Sequence, residues 1–355
     1  MNTKNAVIIG LMLVSLTLII GLMLVTPIFI GGVDQKTDEY EQISDTKPFN
    51  ESRSIMDTIV TIEVLDTNET HALESIDRAF GEIHGIDALM SSYKNDSELN
   101  ILNHQGYLVN ANPDLTYVLE RSICYSEISD GAFDITIKPI LDLWKSKYIP
   151  GGTYMPPTPD EISETLKLVD YSGITIEHNN ISLRPNMSIV LGGIAKGYSA
   201  DQAIESLEND GITSAFVNAG GDGRFIGLNE QDMPWKIGLQ NPDKSGGAVT
   251  IMHLSDMAVA TSGNYERYFN DAAKVSHISD PRNGYSSMEL ISATVITYTA
   301  MDADALATTV FVLGEDAGID MIEDLDGIEC LIITGDKRIV RSSGFGKYET
   351  GQENY

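Results

Sequence analysis

Apolar positions in this chain recur at two periods, and the alternation between them divides it into elements. Leu73, Ile76, Phe80, Ile83 and Met90 fall at helical spacing, which predicts an amphipathic helix from about Thr70 to Ser91. A second helix is predicted from Pro113 to about Ser129, where "DGAFD" stops it. Thr158 and Glu161 make a capping box with Pro159 at the first helical position, so a short helix should run on to Val169. The period falls to two in "SIMDTIVTIEVLD", read as a strand, and "GITIEHNNISLRP" reads as a hairpin turning at Asn179–Asn180. The stretch "VLGGIAKGYSAD", Val190 to Asp201, then leads into a helix ending near Asn209. Four strand-like runs follow: "TSAFVNA", "WKIGLQ", "AVTIMHL" and "ISATVITYT". Helices from Asp302 to Leu313 and near Ala317–Leu325 come next, and "ECLIITGDKRIVRSS" closes the chain as a hairpin turning at Gly335–Asp336. Strands and helices mix without regular βαβ alternation, so the expected class is α+β.

The N-terminus follows a different pattern. From Ala6 to Ile30 the chain carries no charge over 25 residues. A membrane-spanning helix needs roughly 20 apolar residues, and a signal-peptide core is shorter. Lys4 precedes the run, and Asp34, Asp38, Glu39 and Glu41 follow it, which orients the N-terminus to the cytoplasm and the remainder outward. The expectation is a single-pass signal anchor in the cytoplasmic membrane with an extracytoplasmic domain; cleavage after the run is the alternative. Residues 31–50 are acidic and aperiodic, as a tether should be.

Charge narrows the partners. The 355 residues hold 52 acidic and 23 basic side chains, a formal net charge of −29. Such a surface excludes nucleic-acid binding through a general positive field. A phosphate-bearing ligand would need local neutralisation by backbone N–H groups, a lysine or a divalent cation. Cys124 and Cys330 are the only cysteines; both sit in apolar patterns and read as buried thiols, with a disulfide left open.

Several short motifs could carry chemistry. In "DADALATT", Asp304 and Thr308 are four apart, so a carboxylate and a hydroxyl share one helix face and suit a hard cation such as Mg²⁺. The structural alternative is a helix start with Asp302 as N-cap. In the glycine stretch Lys196 precedes Gly197, the reverse of a Walker motif, leaving either a helix N-terminus that favours an anion or a tight turn. "NAGGDGRFIG", Asn218 to Gly227, lacks both the spacing and the following helix of a dinucleotide fingerprint. His277 in "SHISDPRNGY" could act as a general base or be merely structural, and Ser262 in "ATSGNY" reads as part of a turn.

Taken in order, "SSYKNDSELNILN", "DGAFDITIKPILDLW", "LGGIAKGYSAD", "VNAGGDGRFIG", "VATSGNYERYF", "HISDPRNGY" and "ADALATTVFVLG" resemble the motifs of the ApbE family, the FAD:protein FMN transferases. The resemblance runs from about Ser54 to Arg341. It implies an ApbE-like α+β fold, a mixed sheet with packed helices, over residues 51–348. That domain would be preceded by residues 1–5 in the cytoplasm, the transmembrane helix at 6–30 and the tether at 31–50, and followed by a tail at 349–355. It implies Mg²⁺ as cofactor and FAD as substrate, with the FMN half moved to a threonine hydroxyl of an acceptor protein and AMP released. Carried over by motif, the Mg²⁺ ligands are Asp304, Thr308 and the Gly193 carbonyl. The FAD contacts are Met56, Tyr93, Ala132, Phe133, Asp134, Lys196 and Ser279, and His277 is the base that deprotonates the acceptor.

Three positions depart from the family pattern. Val190 stands where aspartate is usual, Ser279 where an apolar residue is common, and Asp57 where an early Met-Gly-Thr has glycine. The implied acceptors resemble the flavin subunits of Rnf- or Nqr-type redox pumps. An FAD pyrophosphatase giving FMN and AMP, and a non-catalytic FAD-binding protein, are the competing functions.

Overall fold

In the computed structural model the described residues are 46–147, 155–242, 246–264, 268–270, 275–276 and 278–349. The chain enters as a hairpin, β1 (Lys47–Ile55) and β2 (Thr58–Asp66), paired antiparallel so that Ile55 faces Thr58. The sequence pattern read one strand here. Met56 and Asp57 instead turn the chain with φ of 55° and 57°, a left-handed pair typical of tight hairpin turns. Met56 is not a usual turn residue and a lone Asp57 in an alternating run is a weak turn signal, so the break was hidden. Asp57 nonetheless explains one departure: the site needs positive φ, which glycine adopts freely and aspartate tolerates.

Helix α1 (Glu69–Met90) follows, capped by Asn68. The short α2 (Glu98–Gln105), begun by the Ser97 cap, and the two-residue β3 (Tyr107–Leu108) were not anticipated. Helix α3 (Pro113–Ile128) matches expectation, as does the capping box that starts α5 (Pro159–Leu166), although α5 ends before Val169. Between them lies the unanticipated α4 (Lys138–Ser146). Strands β4 (Ile174–Glu177) and β5 (Asn180–Leu183) form the expected hairpin, turned one residue earlier, at His178–Asn179.

Helix α6 (Ala195–Asn209) leads into β6 (Ala215–Ala219), β7 (Asp222–Ile226), the hairpin β8 (Trp235–Gln240) with β9 (Ala248–Leu254), and β10 (Met257–Gly263). Two short strands, β11 (Tyr268–Asn270) and β12 (Val275–Ser276), pair with each other. Then come β13 (Leu290–Thr297), α7 (Ala300–Leu313), α8 (Glu315–Glu323), β14 (Glu329–Thr334) and β15 (Ile339–Arg341).

Eight strands make one antiparallel sheet in the order β1-β2-β6-β7-β10-β13-β14-β15. The α+β expectation holds, but the expected mixed sheet is corrected: every pairing in it is antiparallel. One face carries Val60, Ile62, Ala293, Val295, Cys330 and Ile332 into a core shared with α1, α6 and α7. The other carries Leu65, Phe225, Val259, Ile296, Leu331 and Ile333 against Trp235, Leu254 and Phe345. With both faces covered, central strands lose their polar alternation. A third, smaller core joins Ile137, Ile140, Trp144 and Ile162, and Val190 packs onto it. Val190 therefore serves packing under α4, where an aspartate would put a charge against hydrocarbon.

Cys330 is buried in β14 and burial pushes its thiol up to about 12, but Cys124 is exposed on α3, and both are free. The reading of two buried thiols is corrected: Cys124 lies on the outward side of an amphipathic helix. Among the described residues no helix is long and apolar enough to cross a membrane, and the anticipated span at 6–30 lies outside them.

Candidate functional site

The site is built where the first turn of α6 meets the first turns of α7. Eleven of the fourteen residues of α7 are buried, an apolar helix all round, and Asp304 is among them. Its N-terminus is fastened twice. Thr299 is the N-cap, accepting the Asp302 N–H, and Asp201 on α6 accepts the N–H groups of Ala300 at 2.8 Å and Met301 at 2.9 Å. The alternative that Asp302 caps the helix is thereby corrected. Asp302 instead takes bonds from Tyr125 Oη and from Arg121, on α3.

Gly197 lets the two helices meet. A Cβ there would lie 2.1 Å from the Ala300 carbonyl oxygen and 2.7 Å from the Met301 nitrogen, so backbone approaches backbone. From the same residue the N–H donates to Asp304 Oδ2 at 3.2 Å. The third glycine of the stretch thus serves helix packing and orients a carboxylate.

Five side chains converge on this corner. Lys196 Nζ is in direct contact with Asp222 Oδ2 and lies 3.7 Å from Asp304 Oδ2. Asp222, the first residue of β7, is 2 % exposed and Asp304 3 %. Burial raises both carboxyls above the usual range. Asp222 also raises Asp304, while Lys196 opposes the shift in each. Thr308 Oγ1 shares a hydrogen bond with Ser262 Oγ at 3.0 Å. Ser262 lies in β10, not in a turn, so that reading is corrected. Gly193 stands directly over Thr308: a Cβ at Gly193 would fall 2.9 Å from Thr308 Oγ1 and 3.5 Å from the Phe133 ring.

The donors present fit a hard divalent cation. Two buried carboxylates against one ammonium leave a net negative charge. A hydroxyl and a close backbone segment complete an oxygen set. Among the described residues no three His, Cys, Asp or Glu side chains form a metal cage. Any cation here would rest on few protein ligands, as Mg²⁺ commonly does beside phosphates.

The anticipated flavin contacts sort into different environments. Met56 occupies the left-handed β1–β2 turn and packs on the main core. Tyr93 is 70 % exposed, with Lys145 Nζ 5.5 Å from its ring centre, a face open to stacking. Ala132 and Phe133 are buried, and Phe133 reaches the Gly193 segment. Asp134 is already engaged: its oxygens accept from Thr136 N, Thr136 Oγ1 and Tyr171 N, and burial raises its pKa. It fixes the loop and presents Phe133. Ser279 is 6 % exposed, and its Oγ is buried without a hydrogen-bond partner among the described residues, so it has a donor to give a ligand. His277 lies outside the described residues.

A cleft of about 430 Å³ lies behind the 131–134 loop, lined among others by Asp134, Lys167, Arg184 and Arg282. It shares only Asp134 with the anticipated contacts and is separate from the Asp222–Lys196–Asp304 corner. Sequence reasoning missed Asp222. Its signal was an acid set directly after paired glycines in the stretch Asn218 to Gly227, which was weighed only as a nucleotide fingerprint.

A buried acid pair, a lysine and two hydroxyls at a helix–helix corner make a site for a cation and an anionic ligand. Comparison with known proteins gives the class its family. The profile of the ApbE family matches residues 56–332, and the chain belongs to that family. It is 32% identical over 330 residues to a protein of Haemophilus influenzae named FAD:protein FMN transferase, covering 87% of this chain and 94% of the relative. A Vibrio cholerae protein of the same name is 34% identical over 259 residues, covering 70% of this chain and 75% of that one. The crystal structure of the ApbE protein from Thermotoga maritima superposes with a TM-score of 0.78 at 30% identity, over 86% of this chain and 100% of that chain.

Proposed function

We infer that this chain is an FAD:protein FMN transferase that uses Mg²⁺ to move FMN onto a threonine hydroxyl of an acceptor protein. The observation that carries this reading is buried Asp304 beside the part-buried Thr308 and Gly193, with Lys196 next to them, in a chain whose relatives bear that enzyme name. The hydroxyl oxygen of the acceptor bonds to the phosphorus on the riboflavin side of FAD. The bridging P–O bond breaks, AMP leaves with the bridging oxygen, and the hydroxyl proton passes to His277. No electrons change hands, so no oxidant or reductant is required.

Asp304, Thr308 and the Gly193 carbonyl would hold Mg²⁺, which when bound supplies Lewis-acid neutralisation of phosphate charge. Lys196, in the first turn of α6, sets an ammonium and a helix N-terminus toward an anionic ligand. Tyr93 offers a stacking face and Ser279 a hydroxyl. With two carboxylates to one ammonium at this corner, a bound cation would supply the positive charge that phosphates need. The stretch at 6–30 is read as the anchor that holds the enzyme outside the cytoplasmic membrane, level with acceptors such as the flavin subunits of Rnf- or Nqr-type pumps.

The test is in-gel fluorescence of an acceptor after incubation with the full-length chain, FAD and Mg²⁺. Covalent fluorescence that needs Mg²⁺ and is abolished by Asp304→Ala is expected. Free FMN and AMP without labelled acceptor would replace transfer by hydrolysis, and full activity of D304A would overturn the metal assignment.

A further inference from the structure

Asp222 has no part in the assignments above, yet it is the most deeply held member of the corner. Its side chain is 3 % exposed against 29 % for Lys196. A lysine that wet keeps its own hydration, so it needs no buried carboxylate to neutralise it. Burying one beside it returns less than it costs unless the carboxylate does something else.

Both carboxylates face backbone N–H groups. That of Thr261, on the strand that also carries Ser262, favours the ionised Asp222, and Asp304 accepts the Gly197 N–H. Lys196, on a flexible four-carbon stem, is the movable member, touching Asp222 and standing 3.7 Å from Asp304. Among the described residues, the carboxylate next nearest to the ammonium after Asp222 is Asp304. There the ammonium would occupy the oxygens a cation needs and repel the cation as well.

We propose that Asp222 is a positioning residue that holds the Lys196 ammonium off Asp304 and so leaves the Asp304 carboxylate open to a divalent cation. The proposal rests on the cation reading given above. It assigns Asp222 no contact with substrate; its effect runs through Lys196.

The experiment titrates Mn²⁺ into the full-length chain by electron paramagnetic resonance and solves the structure of Asp222→Asn. Asparagine keeps the shape and an oxygen for the Thr261 N–H but loses the charge that holds the lysine. Expected for D222N is Mn²⁺ binding weakened about 10-fold or more, the range seen when an outer partner of a metal ligand is removed. Lys196 Nζ should then sit in direct contact with Asp304, and the melting temperature should be unchanged or higher. The double variant D222N/K196M, with no ammonium to collapse, should bind Mn²⁺ to within about threefold of the parent.

Unchanged Mn²⁺ affinity in D222N overturns the proposal alone. So does weakened affinity with Lys196 still on the introduced amide or turned to solvent, since the loss would then be plain charge. A parent chain with no saturable Mn²⁺ binding overturns the cation reading, and the proposal with it. Should D222N fail to fold, Lys196→Met decides: affinity at or above the parent supports the proposal, and a loss overturns it.

Discussion

Replacing Gly197 with alanine perturbs the contact that sets the site. The new Cβ would lie 2.1 Å from the Ala300 oxygen, 2.5 Å from its carbon and 2.7 Å from the Met301 nitrogen, all backbone atoms without rotamers to yield. Ordinary contact between such atoms begins near ~3.5 Å, so α6 and α7 must part by roughly 1 Å. Overpacking of this kind costs about 1–3 kcal/mol. The Gly197 N–H bond to the Asp304 carboxylate, 3.2 Å long, is lost in the same movement. A bond to a charged acceptor is worth about 1.5–3 kcal/mol, and the better helix propensity of alanine returns about 1. The net loss is about 1.5–5 kcal/mol, or roughly 2–8 °C in Tm for a domain of this size. Misplacing the Asp304–Lys196 pair by about 1 Å should also cut the transfer rate on the order of 100-fold. Calorimetry and initial rates of acceptor labelling measure the two effects. A G197A protein with equal or higher Tm and the parental rate would refute the view that this backbone contact positions the carboxylate.

Further expectations concern single groups. Ser279→Ala removes a buried hydroxyl that has no partner among the described residues, so the ligand-free protein should be unchanged or stabilised by about 1 kcal/mol while FAD binds roughly 5–10-fold more weakly. Calorimetric titration of FAD checks this, and a destabilised variant with parental affinity would contradict it. Burial raises Asp201 to about 6, although the Met301 and Ala300 N–H groups and Arg224 oppose the shift. Between about pH 4 and 6 the folded state then keeps a proton that the unfolded chain has lost, so stability should fall as pH rises, by up to about 3 kcal/mol. Denaturant titrations across that window should show the slope flattened in D201N. Asp57→Gly relieves the left-handed strain at φ 57° and should stabilise the β1–β2 turn by about 0.5–1 kcal/mol in thermal melts, whereas a loss would mean the aspartate side chain holds the turn.

Helices with clear period were legible: α1 and α3 fall where spacing puts them, α5 starts at its capping box, and α6 follows the glycine stretch. Strands β7 and β10 were not. They lie inside a sheet covered on both faces, and glycine, serine and threonine in "DGRFI" and "MAVATSG" imitate turns. The β1–β2 break escaped for the opposite reason, since methionine and aspartate in left-handed conformation look like strand continuation. At the site, the pairing of Asp304 with Thr308 on one helix face could be read from spacing. The approach of Gly193 and the insertion of Lys196 between two acids could not, because they depend on α6, α7, β7 and β10 meeting. Nor could spacing show that Asp134, placed at the ligand by motif, also bonds Thr136 and Tyr171 and so fixes its own loop.

The central claim is that this corner transfers FMN, intact, to a protein hydroxyl. Mass spectrometry of an acceptor incubated with the enzyme, FAD and Mg²⁺ tests it most directly. The expected result is one FMN esterified to a single threonine with one AMP released per label, and no label when Asp304 is alanine. Release of FMN and AMP with the acceptor unmodified, or labelling that proceeds equally without Asp304, would contradict it.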